Sequence, residues 1–168
     1  MDYIILIILV LCVATDIKYR KILNIVTIPA LVLGLTFHVV IGGLDGLFFS
    51  LKGLLVGFGV FFIPFAMGGI GAGDVKLMTA IGSIKGAAFT FSTFLYAAAI
   101  GGLIALFIIM KRKHFFQFLN RFFLSFMFLK GNRGSIQFVD KSDLAPGFPY
   151  GVAIAAGVLC TYIWGGIL

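Results

Sequence analysis

The chain contains no glutamate, and its six acidic residues are all aspartate. Two histidines, two cysteines, four prolines and one tryptophan are spread over 168 residues, of which only 11% are charged. Each scarcity excludes a chemistry. Without glutamate there is no H-E-x-x-H zinc-protease signature. A serine nucleophile needs a base beside it, and neither His38 nor His114 has an obvious serine partner, so both read as packing or interfacial histidines. Cys12 and Cys160 stand singly inside apolar runs, which leaves no disulfide framework and no thiolate metal site; both read as small buried hydrophobes. The shortage of charge goes with 61% hydrophobic residues and a mean hydropathy of +1.16. Water-borne domains are roughly 45–50% apolar and about 25% charged, so this composition belongs in a lipid bilayer.

What is present is a series of apolar runs. They occupy Tyr3–Thr15, Ile22–Ile41, Leu47–Met67, Val75–Ile84, Ala87–Met110 and Gly147–Leu168. A bilayer core of ~30 Å takes about 20 residues per helix, so these runs use nearly the whole chain. We expect one all-α integral membrane domain over residues 1–168, with about six transmembrane helices alternating across the bilayer. The first and fourth runs are short, rising only about 20 and 15 Å. Either their helices extend through the flanking aspartates, or those aspartates are drawn below the membrane surface. The first run has no basic residues before it, carries Asp2, and is followed by Lys18, Arg20 and Lys21, which fits an uncleaved helix with its N-terminus outside. Leu9-Val10-Leu11-Cys12 has a leucine before the cysteine where a lipoprotein cleavage site has a small residue.

Charge sets the expected orientation. Alternation places every one of the thirteen Lys and Arg residues on one side, except Lys52 and Lys85. The positive-inside rule makes that side cytoplasmic and puts both termini outside. The net charge of +7 then reflects topology and anionic headgroups, not nucleic-acid binding. His114–Leu129 has Arg121 near its middle, and His114, Gln117, Arg121 and Ser125 recur at helical spacing. That leaves a broad phenylalanine-rich face, and the segment reads as an amphipathic helix lying on the inner surface.

Two aspartates stand out at the ends of apolar runs on the cytoplasmic side. Asp16 lies at the C-terminal end of the first helix, where an anion opposes the helix dipole. Asp74 follows a glycine loop, Gly68, Gly69, Gly71 and Gly73, and could simply N-cap a helix beginning at Val75. Ionisable residues near membrane depth are costly and usually functional. Two carboxylates brought together share a proton, giving one group that can activate water and one that can protonate a leaving amine. Glycines beside such a pair let the backbone bend and let an extended peptide approach closely. Asp140 and Asp143, in a D-K-S-D pair, read as a solvated loop.

These residues resemble a known family. Gly71-Ala72-Gly73-Asp74 is similar to the GxGD motif of intramembrane aspartic proteases, and Gly68–Leu77 looks like the prepilin peptidase (type IV leader peptidase) branch. Thr15–Asn24 resembles that family's other catalytic segment, with Leu23 where a proline is usual. Pro149–Ala155 looks like the start of its last helix. The resemblance implies cleavage of prepilin-like membrane substrates at the cytoplasmic face, with Asp16 and Asp74 as the catalytic pair and Gly71 and Gly73 as the substrate loop. It implies no cofactor and no metal. Larger members add a domain with paired C-x-x-C motifs and can methylate the new N-terminus; this chain resembles the short, peptidase-only form. Two other readings stay open. One is a metal-dependent transferase on lipid phosphates, with Asp140 and Asp143 joining Asp74. The other is a non-enzymatic channel or assembly protein, with Asp16 and Asp74 structural. Nothing in the sequence speaks to oligomeric state.

Overall fold

The computed structural model describes residues 2–20, 22–66, 69–111 and 150–165. Every element among them is an α-helix: α1 (Asp2–Tyr19), α2 (Asn24–Ala66), α3 (Ala72–Lys85), α4 (Ala87–Lys111) and α5 (Tyr150–Trp164). The helical class is the one the apolar runs predict. Of the expected spans, two helical stretches among the described residues, Asn24–Ala66 and Ala87–Phe107, are long and apolar enough to cross a membrane by length and composition. Their apolar surface faces outward, with Val40, Leu55, Ile63 and Leu103 all exposed. Such a surface is an aggregation hazard in water and ordinary in lipid. The His114–Leu129 segment, Asp140 and Asp143 lie outside the described residues. Among the described residues, 2–100 and 150–165 belong to one compact unit, and 101–111, the end of α4, belong to a second.

Both short runs grow into their aspartates. α1 extends past Thr15 to Tyr19, and α3 begins at Ala72 rather than Val75. α1 stops where Arg20 turns left-handed (φ 52°) and its N–H donates to the Asp16 carbonyl at 2.8 Å, a common helix C-terminal device.

A straight helix of 43 residues would be about 65 Å long. α2 instead reverses at Gly43, whose φ of 55° and ψ of −131° are open to glycine and costly for other residues. Space is not the reason for glycine there, because a Cβ would meet nothing within 4 Å. The arms fold back on each other. Thr27, Ile28 and Leu31 of the first line one cavity with Phe58, Phe62 and Phe65 of the second, and the His38 ring centroid lies 4.9 Å from that of Phe49. The break expected at Gly42–Gly46 is therefore a tight reversal within one helical element.

α3 runs through the middle of this unit, buried at every position from Asp74 to Ile84 except Lys76. Small residues let the α2 arms reach its backbone: a Cβ on Gly57 would stand 2.5 Å from the Met78 carbonyl oxygen, and one on Gly34 would stand 2.6 Å from Ser83 Oγ. Close backbone approach through small residues is how helices pack where the hydrophobic effect gives them no reason to associate. The last carbonyls of a helix lack intrahelical donors. Here Ser50 Oγ donates to Ser83 O at 2.6 Å and His38 Nε2 donates to Ile84 O at 2.9 Å, which accounts for His38 structurally. Ile5, Leu9 and Cys12 of α1 join Leu77, Met78 and Ile81 of α3 and Ile154 and Val158 of α5 in one apolar core.

The helix ends sort into two groups. At one end Lys85, closing α3, pairs with Asp2 at 2.5 Å, and Tyr162 Oη of α5 donates to Asp2 Oδ1 at 3.2 Å. At the other end lie Asp16, Asp74 and Gly151.

Candidate active site

Asp16 is carried by the buried face of α1. Ile5, Leu9, Cys12 and Asp16 follow one another at helical spacing, and the carboxylate ends a stripe that is otherwise apolar. Only 7% of Asp16 is exposed. Its Oδ2 accepts the Gly151 N–H at 2.9 Å. The anion that opposes the dipole of α1 is thus met by the N-terminus of α5, where free amides and the dipole both favour negative charge. Gly151 is fitted to this task, since a Cβ on it would stand 2.7 Å from Asp16 Oδ2.

Asp74 is not the N-cap that its sequence context allows. Gly71 holds that position, and Asp74 lies in the first turn of α3. The two residues bond reciprocally: Gly71 N–H donates to Asp74 Oδ2 at 3.1 Å, and Asp74 N–H donates to Gly71 O at 3.1 Å. The side chain still satisfies a free amide at the helix start, so part of its role is structural. The other oxygen is different. Oδ1 is buried and has no hydrogen-bond partner among the described residues. A buried polar atom left unpaired costs about 1–3 kcal/mol, and such atoms in native proteins call for an explanation in chemistry or an absent partner.

Both carboxylates open on one cavity of about 390 Å³, lined also by Arg20, Ile22, Leu23, Asn24 and residues 71–73. The charge of Asp16 acts on Asp74, and that of Asp74 acts on the Tyr150 hydroxyl. The Tyr150 ring is set by Phe61, edge to face at 6.3 Å between centroids. Three helix termini, those of α1, α3 and α5, therefore meet at the pair. Four groups are brought together here whose positions the sequence reading left unassigned: Gly151, Tyr150, Arg20 and Ile22. Pro149–Ala155 carried a hint of the first two, because that stretch resembles the start of the family's last helix.

The sequence leaves two uses open for the glycine loop, a bend and a close approach. None of the described glycines between residues 69 and 73 has a positive φ; the positive values belong to Gly43, Gly86 and Gly165. Gly73 serves close approach instead, and the neighbour is the chain itself. A Cβ there would stand 2.9 Å from the Ile22 Cβ and 3.4 Å from its backbone nitrogen. The residue is thus part of the packing between the α1–α2 connection and the first turn of α3. Among the described residues no three His, Cys or Asp side chains gather as a metal-binding group.

The family model for the type IV leader peptidase family matches residues 3–106. The chain belongs to that family. The match runs through α1, α2 and α3 and most of α4, and it contains both aspartates. Comparison with the curated proteins and with the solved structures gives no match in either. Membership makes the protein a membrane-bound protease of the leader peptidase kind, and it agrees with the apolar helices described above. Gly151 and Tyr150 lie beyond the matched span, so their part in the site rests on geometry alone.

Proposed function

We propose that the protein is an aspartic endopeptidase that removes the leaders of type IV prepilin-like membrane proteins, using Asp16 and Asp74. One observation carries the reading: two buried carboxylates from different helices open on one cavity, and one of them has an oxygen, Asp74 Oδ1, that no group among the described residues satisfies. The pair holds one shared proton. The ionised carboxylate takes a proton from water as the oxygen attacks the scissile carbonyl. The protonated one gives its proton to the carbonyl oxygen, and the tetrahedral diol forms. Return of a proton to the leaving nitrogen breaks the C–N bond and releases an acid and an amine. Water is consumed and the carboxyl pair is restored.

Gly71 and Gly73 line the cavity beside Asp74; Gly73 lets the first turn of α3 pack against Ile22, and Gly71 adds no side chain to the wall that an extended peptide would pass. The positive-inside rule puts the Asp16 and Asp74 end on the cytoplasmic side and both termini outside. The bilayer itself is the second partner, holding the enzyme and the apolar segment of its substrate in one plane. The test is co-expression with candidate prepilins, with leader removal read by mass. Asp16→Asn and Asp74→Asn are each expected to abolish cleavage while membrane insertion is kept. Asp45→Asn, exposed beside the Gly43 reversal, is expected to cleave normally. A prepilin processed at a near-normal rate by either single variant sinks the pair.

A further inference from the structure

Next to the carboxylate cavity is a second one of about 280 Å³ between the two arms of α2 and the start of α3. Ile28, Leu31, Phe58, Phe62 and Phe65 make its walls almost wholly carbon, with Ala72, Val75 and Thr79 from α3. Two features connect it to the site. Ala72 lines both cavities. Lys76, on the apolar groove, donates from Nζ to Oδ1 of Asn24, on the carboxylate cavity, at 2.9 Å. The third observation is a hydroxyl. Thr27 lines the groove, is only 2% exposed, and its Oγ1 has no hydrogen-bond partner. Among the described residues, Thr27 Oγ1 and Asp74 Oδ1 are the two buried side-chain oxygens so placed, and they belong to the two adjoining cavities.

The geometry points to the groove as the seat of the substrate segment on one side of the scissile bond, an apolar peptide stretch whose backbone Thr27 meets. This rests on the peptidase reading and deepens it. A lipid chain would fill the same walls, but it offers a buried hydroxyl nothing to bond. A peptide offers both parts, apolar side chains for the phenylalanines and a carbonyl or amide for Thr27. The shared Ala72 lets one extended chain lie in both cavities at once. Thr27 is a positioning residue in this arrangement, and the phenylalanine wall of α2 sets the preference for apolar side chains.

The test uses the purified full chain and two synthetic peptides with the same leader and scissile bond. One continues with apolar residues, and the other has those residues replaced by serine and asparagine. The wild type is expected to cleave the apolar peptide with the lower KM. Thr27→Val keeps the shape and removes the hydroxyl; it is expected to raise that KM about 2- to 10-fold, the worth of one hydrogen bond, at nearly constant kcat. Thr27→Ser should restore it. Thr27→Val should not lower the thermal midpoint of the free protein, because its hydroxyl has no partner there to lose. Phe62→Ala, from an exposed wall position, should raise the same KM about 5- to 10-fold and narrow the difference between peptides. Cleavage of both peptides alike by the wild type, with KM unmoved in both variants, overturns the groove assignment and leaves the peptidase reading standing. Failure of the wild type to cleave either peptide overturns both. A fall in midpoint and kcat together in Thr27→Val and Thr27→Ser assigns Thr27 a structural role and overturns the inference. So does a KM that rises with added phospholipid and is relieved in Phe62→Ala, which makes an acyl chain the occupant.

Discussion

Gly151→Ala tests the site at the residue whose need for glycine is most local. A methyl group on Gly151 would stand 2.7 Å from Asp16 Oδ2, 3.3 Å from Cγ and 3.4 Å from Cβ. Ordinary contact begins near 3.4 Å, so carboxylate and backbone must part by about 0.7 Å. The amide hydrogen bond that orients Asp16 at 2.9 Å is lost or bent by the same movement. Misplacement of a catalytic group by 1 Å can cost about 100-fold. A shift of this size is therefore expected to lower kcat by about 10- to 100-fold. The fold is expected to survive, since alanine is a better helix former than glycine by about 0.5–1 kcal/mol, which offsets part of the strain at the start of α5.

The assay measures kcat on a prepilin in detergent beside protein abundance in the membrane. Gly157→Ala is the control. It presses on Thr93 O at 2.8 Å and the Ala97 nitrogen at 2.9 Å, in the α4–α5 contact remote from the carboxylates. That change should reduce thermal stability with little selective effect on kcat. Normal turnover by Gly151→Ala at normal abundance would refute the claim that α5 positions Asp16. Equal loss of abundance in both variants would refute it as well, because the effect would then be one of packing.

Two further predictions concern the loop and the orientation. Gly73→Val is expected to lower both turnover and abundance, because its side chain must displace Ile22, whereas Gly71→Val, with 3.3 Å to Asp74 Oδ2, should reduce turnover alone and Ala72→Gly should be mild; cleavage rates and immunoblots compared side by side check this, and normal cleavage by both valine variants would reduce the loop to a linker. Single cysteines beside Asp45 and Lys85, in a Cys160→Ser background, should react with an impermeant thiol reagent in intact cells while cysteines in the 111–146 segment stay protected, and the reverse pattern would overturn the cytoplasmic assignment of the site.

The parts of this molecule that were legible in the sequence are those set by local rules. Apolar runs gave the helical class, and the position of Asp16 and Asp74 at run ends gave the two residues that share a cavity. The apolar runs of α1 and α3 are shorter than the helices, because a hydropathy pattern ends at the first charge while a helix does not; of the two readings the runs left open, extension through the flanking aspartates is the one found. Asp16 is helical because it completes the buried stripe from Ile5 to Cys12, and its cost is met by an amide 135 positions away in sequence. No local pattern reports that partner. The role of Gly73 was hidden for the same reason. Sequence offers two uses for a glycine, a left-handed turn or a close approach, and only the position of Ile22 chooses between them.

The convergence of helix ends also explains why a carboxylate pair is sustainable at this depth. A helix interior has no spare donors, so a buried aspartate in mid-span would face only carbon. The first turn of a helix has up to four free N–H groups, and this site uses one from α5 for Asp16 and one from the N-cap of α3 for Asp74. One amide apiece leaves lone pairs unspent, and Asp74 Oδ1 keeps all of its own. Full satisfaction would stabilise the free protein and leave the carboxyl with nothing to offer water or a peptide carbonyl. The opposite end of the same helices shows the contrast. There Lys85 is paired with Asp2, and its ammonium lies over the rings of Phe89 and Tyr162 at 5.2 and 4.7 Å. That end ties α1, α3 and α5 together, which leaves the unsatisfied end free to carry the chemistry.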